Sequence, residues 1–213
     1  IPVLVYEELL SDTIDSNKIN CIIRNTTDLD PSYIMYTSGS TGTPKGVTIN
    51  HRAVLDYTRW LTDTFEVTDK SIIGMQSAFH FDNSVFDMFY ALYTGATTII
   101  IPEVLFMYPE KLMDFMAEEK ISVIFWVPTV MISVANSGVL SQKKLNDLRL
   151  ILFAGEVMPI KQLNEWVSQY PNCKFVNMYG PTEATDIVLY YVLDRKFNAG
   201  ETLPIGIPCA NMK

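Results

Sequence analysis

The sequence predicts an α/β protein built from parallel-sheet subdomains with helices on both faces. Three observations predict it. Short, wholly apolar runs recur along the chain, as expected for strands buried on both sides. Between them, apolar residues fall at helical spacing. Strand and helix signals alternate, the order that parallel sheets with covering helices require. The chain has 213 residues, 48% of them hydrophobic, enough to bury a sizeable core and more than one average domain needs.

Taken in order, the first strand is the apolar run Tyr33-Ile34-Met35-Tyr36. Val47-Thr48-Ile49 follows a polar loop and leads to a helix start at Asn50. Thr97–Ile101 reads as a further strand. Pro109 suits a first helical turn, and Leu112, Met113 and Met116 line one side of that helix. Ser122–Val127 and Leu150–Phe153 are compact apolar strands. After Pro159, Leu163, Trp166, Val167 and Tyr170 fall at helical spacing and read as core packing. Lys174–Met178 returns as a strand. No internal repeat, low-complexity stretch or flexible linker interrupts the pattern.

Composition narrows the function classes. The net charge is −8, which argues against a nucleic-acid partner, because phosphate binding would have to be local and not driven by the overall field. The longest apolar runs are a few residues, too short to span a membrane. No signal-peptide pattern opens the chain, and a cytoplasmic protein is expected. Cys21, Cys173 and Cys209 are odd in number and widely spaced, which fits reduced thiols in packing positions and neither a disulfide framework nor a zinc site.

The most informative stretch is residues 36–47, Tyr-Thr-Ser-Gly-Ser-Thr-Gly-Thr-Pro-Lys-Gly-Val. Glycines let backbone N–H groups approach phosphate oxygens, hydroxyls donate further bonds, and Lys45 brings a positive charge. An ordinary polar surface loop has a similar composition. The spacing is not that of a Walker loop: Lys45 follows Pro44, and Gly46 stands where the magnesium-binding hydroxyl would be. A polyphosphate, ATP above all, is the expected ligand. In a parallel sheet ligands sit at the carboxyl ends of strands. The loop Gly39–Gly46 follows Ile34–Tyr36, Ala154–Glu156 follows Leu150–Phe153, and Tyr179–Glu183 follows Lys174–Met178. These three loops are expected to converge on one nucleotide. There Glu183 could bind magnesium, which favours one or two carboxylates plus phosphate oxygens.

Residues 36–47 resemble the phosphate-loop signature of adenylate-forming (AMP-binding) enzymes, and of amino-acid adenylation domains in particular. Those include the modules of nonribosomal peptide synthetases and the D-alanine–carrier-protein ligases. Further segments match in order: Phe81-Asp82-Asn83-Ser84-Val85-Phe86-Asp87, Phe153-Ala154-Gly155-Glu156, Asn177-Met178-Tyr179-Gly180-Pro181-Thr182-Glu183 and Pro204-Ile205-Gly206-Ile207-Pro208. The resemblance runs from Tyr33 to Pro208. It implies that the chain is the central part of a large N-terminal AMP-binding domain of two intertwined α/β subdomains. The C-terminal domain with its catalytic lysine would lie outside it, and the 213 residues alone would be nearly inactive.

The resemblance also assigns roles. Thr37, Ser38, Gly39, Ser40, Thr41, Gly42, Thr43 and Lys45 would hold the phosphates of ATP. Gly155, Glu156, Asn177, Tyr179, Gly180 and Thr182 would border the adenine and phosphates, with Lys45, Thr182 and Glu183 catalytic and Glu183 binding Mg2+. Asp82 would pair with a substrate α-ammonium. From the residues alone, it could equally cap a helix beginning near Asn83. Its neighbours Phe79, Phe81, Val85 and Phe86 predict an apolar setting in which an unpaired acid is costly. The pocket wall would be Asn83, Phe86, Phe125, Leu152, Ala154, Met178, Asp186 and Ile187, shallow enough to favour a compact side chain. Asp186 fits this wall poorly; it could be solvated at the rim or meet a polar or basic group. His51 and His80 read as capping or core residues at least as well as site residues. The implied reaction forms aminoacyl-AMP and pyrophosphate, then passes the acyl group to the phosphopantetheine thiol of a carrier protein. An acyl- or aryl-acid CoA ligase, or a nucleotide-binding module without catalysis, are the alternatives. Asp82 opposes the first, and the set of Lys45, Thr182 and Glu183 opposes the second.

Overall fold

The computed structural model describes residues 14–38, 42–210 and 212. Strand β1 (Pro31–Thr37) and β2 (Lys45–Asn50) form a two-stranded antiparallel sheet of their own. Tyr36 stands opposite Gly46 and Thr37 opposite Lys45. This corrects the expectation that the glycine-rich loop leaves a strand of the parallel sheet. Two strands joined by so short a loop can only pair antiparallel, since a parallel pair needs a crossover of a dozen residues or more.

Helix α1 (Ser16–Asn25) precedes the hairpin and α2 (His51–Thr64) follows it. The Asn50 side chain caps α2, accepting from the Ala53 N–H at 2.9 Å, so the helix starts where the sequence predicts. Val54, Tyr57, Trp60 and Leu61 form its buried face. Next come β3 (Ile72–Met75), α3 (Asn83–Val85), a π-helical turn (Phe86–Tyr90) and α4 (Ala91–Thr94). Then follow β4 (Thr97–Ile100), α5 (Pro109–Glu118), β5 (Val123–Trp126), α6 (Pro128–Asn136), β6 (Leu150–Phe153), α7 (Ile160–Gln169), β7 (Lys174–Tyr179), β8 (Leu189–Val192) and β9 (Ile207–Pro208).

Strands β3 to β9 make one seven-stranded sheet in the order β4-β3-β5-β6-β7-β8-β9. Pairings from β4 to β7 are parallel; β7–β8 and β8–β9 are antiparallel. Strands β5 and β6 are buried at every position, which is why they read as continuous apolar runs. Their side chains alternate between two cores. Val123, Phe125, Leu150 and Leu152 face the core that includes α2 and the π turn. Ile124, Trp126, Ile151 and Phe153 face the one built with α5, α6 and α7. Sequence reading does not resolve β3, β8 or β9. Each is short, and the partners that decide their pairing are distant in sequence. Among the thiols, Cys209 is buried and Cys173 half-buried, but Cys21 is exposed, contrary to a packing role. Among the described residues no helix is long and apolar enough to cross a membrane.

A buried polar contact ties α2 to the β7–β8 connection. The Tyr57 hydroxyl donates to Asp186 Oδ2 at 2.6 Å, and Asp186 is 2% exposed. Thr185 and Asp186 both lie in the left-handed region, with φ of 61° and 73°, and this turn aims the carboxylate inward. Burial pushes the Asp186 carboxyl up to about 7; the Tyr57 bond works against that shift and the nearby Asp82 charge adds to it.

Because its folded pKa is raised, Asp186 contributes stability that is complete below the unfolded carboxylate range and is lost as pH rises toward about 7. The full span is on the order of 4 kcal/mol. Thermal melts of the wild type are therefore expected to fall between about pH 4 and 7. Asp186→Asn keeps an acceptor for Tyr57 but cannot ionise, so its melting temperature should fall less over that window and exceed wild type at pH 8. Parallel pH profiles for the two proteins would rule this out.

Candidate active site

The carboxyl ends of β6 and β7 open into a cavity of about 610 Å³. Gly155 and Glu156 border one side, Asn177, Met178, Tyr179 and Gly180 the other, and the segment around Leu203 and Ile205 the mouth. Five residues assigned to the nucleotide from sequence (Gly155, Glu156, Asn177, Tyr179 and Gly180) thus border one space. The Tyr179 ring is 52% exposed, a flat face free to stack on a base. Two polar side chains are already engaged. Glu156 Oε2 accepts from the Thr129 N–H at 2.8 Å and from Thr129 Oγ1 at 2.5 Å, at the start of α6. Asn177 Nδ2 donates to the Pro204 carbonyl at 2.8 Å. The Glu156 carboxylate therefore orders the cavity wall from behind. A larger groove of about 830 Å³ lies between α6 and α7, but none of the motif residues reaches it.

Gly180 makes the site geometry possible. A Cβ there would sit 2.0 Å from the Asp186 carbonyl oxygen and 2.6 Å from Ile187 Cα. No side chain fits, so the β7–β8 connection can fold back onto the strand end. Within that connection the 3₁₀ turn Thr182–Ala184 packs against β2. Lys45, the first residue of β2, is exposed beside the glycine-rich loop, as are Ser38, Gly42 and Thr43; Thr37 is half-buried. Gly39, Ser40 and Thr41 lie outside the described residues. Glu183 is exposed, a lone carboxylate on the same turn. Among the described residues no group of three or more His, Cys, Asp or Glu could hold a metal by itself.

Asp82 meets this turn from the other side. Its Oδ2 accepts from Thr182 Oγ1 at 2.5 Å, across 100 residues of sequence. Its Oδ1 accepts from the Asn83 N–H at 3.1 Å, so Asp82 also caps α3. The apolar setting expected around it is only half present. Val85 and Phe86 are fully buried, but Phe79 and Phe81 are 58% and 60% exposed. Residues 79–82 precede the helix as an open turn, where Phe81 packs on the His80 ring at 4.4 Å. Asp82 is half-buried as a result.

Behind Asp82, the residues assigned to a substrate pocket come together. Phe86, Phe125, Leu152, Ala154, Met178 and Ile187 share one core, with the Phe86 and Phe125 rings edge-on at 5.2 Å. Asn83 is half-buried at its edge. Asp186 is not at a solvated rim; it is buried and held by Tyr57. Sequence reading misses Tyr57, Thr129 and Tyr33, because Tyr57 sits at ordinary helical core spacing and Thr129 and Tyr33 belong to no quoted motif role. The buried atoms Tyr33 Oη, Asn83 Nδ2 and both Asp87 carboxylate oxygens have no hydrogen-bond partner among the described residues. Burial, and secondarily the Asp186 charge, holds the Asp87 carboxyl well above the usual range. Asp82, Asp87 and Asp186 therefore place three acids around one core, and burial holds Asp87 and Asp186 toward their neutral forms.

Comparison with known proteins agrees with this geometry. The profile of the family described as AMP-binding enzyme matches residues 3–213. An L-proline–[L-prolyl-carrier protein] ligase of Pseudomonas fluorescens is 37% identical over 154 residues, which is 72% of this chain and 31% of that protein. A D-alanine–D-alanyl carrier protein ligase of Bacillus cereus is 33% identical over 175 residues, 82% of this chain and 35% of that protein. The chain thus spans about a third of the length of these relatives. The crystal structure of the Vibrio cholerae adenylation domain AlmE in complex with glycyl-adenosine-5'-phosphate superposes with a TM-score of 0.78 at 28% identity, covering 92% of this chain and 36% of that one. With nearly every residue matched and the motif residues gathered at the strand ends of an α/β core, the chain belongs to the AMP-binding enzyme family.

Proposed function

We propose that this chain supplies the substrate-activating core of an enzyme that joins a compact amino acid to AMP, using ATP, and then passes it to a carrier-protein thiol. The observation that carries this reading is the Thr182–Asp82 hydrogen bond. It sets a carboxylate suited to an ammonium group directly against the turn that follows Gly180, the residue at which the cavity wall ends. An acyl or aryl acid has no amine to meet that carboxylate. The ligases and the glycyl-adenylate complex described above lend the same support.

In this reading the ammonium of the substrate pairs with Asp82, and Asn83 Nδ2 offers a further donor at the same edge. Held there, the substrate carboxylate points toward the cavity at the ends of β6 and β7. One of its oxygens attacks the α-phosphorus of ATP, and the bond from that phosphorus to the pyrophosphate oxygen breaks. Such in-line chemistry needs positioning and charge neutralisation more than a side-chain nucleophile. Lys45 brings positive charge to the phosphates, Thr182 donates a hydrogen bond, and Tyr179 covers the base. Glu183 would hold Mg2+, whose preference for a single carboxylate with phosphate oxygens matches an exposed lone acid; the ion would neutralise phosphate charge. Phe86, Phe125 and Met178 fill the space behind Asp82, so a compact side chain fits better than a bulky one.

ATP–pyrophosphate exchange by the full-length protein, measured across the common amino acids and matched acyl and aryl acids, tests the reading. Exchange with glycine, alanine or proline supports it; exchange with acyl or aryl acids alone overturns it. In that assay Asp82→Ala should lose about 2–5 kcal/mol of amino-acid-dependent activity, because the ammonium is left without its charged partner. Nucleotide binding by the same variant should be no weaker than wild type. Undiminished exchange would remove Asp82 from the amine subsite.

Phe125→Ala carries a second prediction. Phe125 is fully buried, so truncation should cost about 3–5 kcal/mol of stability. The space created should admit larger side chains, and preference should blur by about 1–3 kcal/mol per missing methylene-sized contact. A preference for phenylalanine or tryptophan in the wild type would contradict the compact pocket.

A further inference from the structure

One hydroxyl stands between two binding regions. Thr182 lies two residues past Gly180, which lines the cavity at the strand ends, on a turn packed against the strand that begins at Lys45. Its Oγ1 donates to Asp82 Oδ2, while Asp82 Oδ1 accepts from the Asn83 N–H. A threonine hydroxyl has a single proton to donate. It can serve Asp82 or a phosphate oxygen, but not both. With Asp82 half-buried, a carboxylate that loses this donor needs another.

We propose that the Thr182 hydroxyl couples the two substrates, giving its proton to Asp82 in the free site and to a phosphate oxygen once nucleotide binds. The inference rests on the amino-acid-activating function proposed above. Nucleotide alone takes the donor from Asp82 and leaves that carboxylate short of a partner. Amino acid alone pairs its ammonium with a carboxylate whose charge the Thr182 hydroxyl already partly satisfies. With both bound, the hydroxyl faces phosphate, the ammonium faces Asp82, and every group is satisfied. The ternary complex is therefore favoured over the sum of the two binary ones, and by linkage each ligand tightens the other by the same factor. Thr182 is a positioning residue for the amine subsite as well as a contact for the nucleotide.

The competition is for one hydrogen bond, so each ligand should tighten the other roughly 3- to 10-fold. Isothermal titration of the full-length protein measures it, with α,β-methylene-ATP and magnesium as the uncleavable nucleotide and glycine, L-alanine, D-alanine or L-proline, whichever supports exchange, as the amino acid. Each ligand is titrated with and without the other. In Thr182→Val the coupling factor should fall to about one, nucleotide alone should bind more weakly, and amino acid alone no more weakly than to wild type. Thr182→Ser should retain the coupling, which a loss of folding or packing would not predict. A coupling factor of one in a wild type that still supports exchange overturns the inference and leaves the proposed function standing. Unchanged coupling in Thr182→Val overturns it as well. A wild type that supports exchange with no amino acid overturns the proposed function, and the coupling with it.

Discussion

The site depends on a backbone contact that only glycine permits. At Gly180 the chain leaving β7 passes so close to the carbonyl of Asp186 that a Cβ would lie 2.0 Å from it. That approach folds the β7–β8 connection into a tight return, and two side chains are aimed by it. Thr182 reaches Asp82, and Asp186 reaches Tyr57. The antiparallel pairing of β8 on β7 continues from the same return, with Leu189 opposite Tyr179. One steric constraint therefore sets the edge of the sheet, the wall of the cavity at the strand ends and the hydrogen bond that reaches Asp82.

Sequence reading resolves the elements whose signals are local. Continuous apolar runs identify β5, β6 and β7, Pro109 marks the start of α5, and Asn50 marks that of α2. The motif residues that line the cavity are legible because they come as contiguous strings at strand ends. What escapes it depends on distant pairing. Whether β1 pairs with β2 or joins the main sheet is decided by loop length and the competition among strands, not by the composition of either. The Tyr57–Asp186 bond spans 129 residues, and nothing near Tyr57 distinguishes it from a core aromatic. Asp82 caps its helix through Oδ1, one of the two readings the sequence offered, while the Thr182 donor at Oδ2 lies 100 residues away and belongs to neither.

Three acids gathered around an apolar core run against stability. Asp186 and Asp87 are buried, one with a phenolic donor and the other with neither oxygen hydrogen-bonded among the described residues. A well-packed core without a task would place apolar groups there. Natural proteins break such rules mainly at functional sites, and here the violation lies beside Asp82, the carboxylate proposed to meet the substrate amine. Burial holds Asp87 and Asp186 toward their neutral forms, and a cationic group brought close to them would favour their ionisation.

The separate β1–β2 hairpin bears on how the glycine-rich loop can close around a ligand. Thr37 and Lys45 are paired across the two strands, so the ends of the loop are already brought together in the fold. The entropy of closing that loop is spent when the hairpin forms and does not recur at each encounter with nucleotide. A phosphate group arriving there would meet strand ends already held together, with Lys45 exposed on one of them. The same stretch of glycines hung from a single strand would instead have to search for its own second anchor during every binding event.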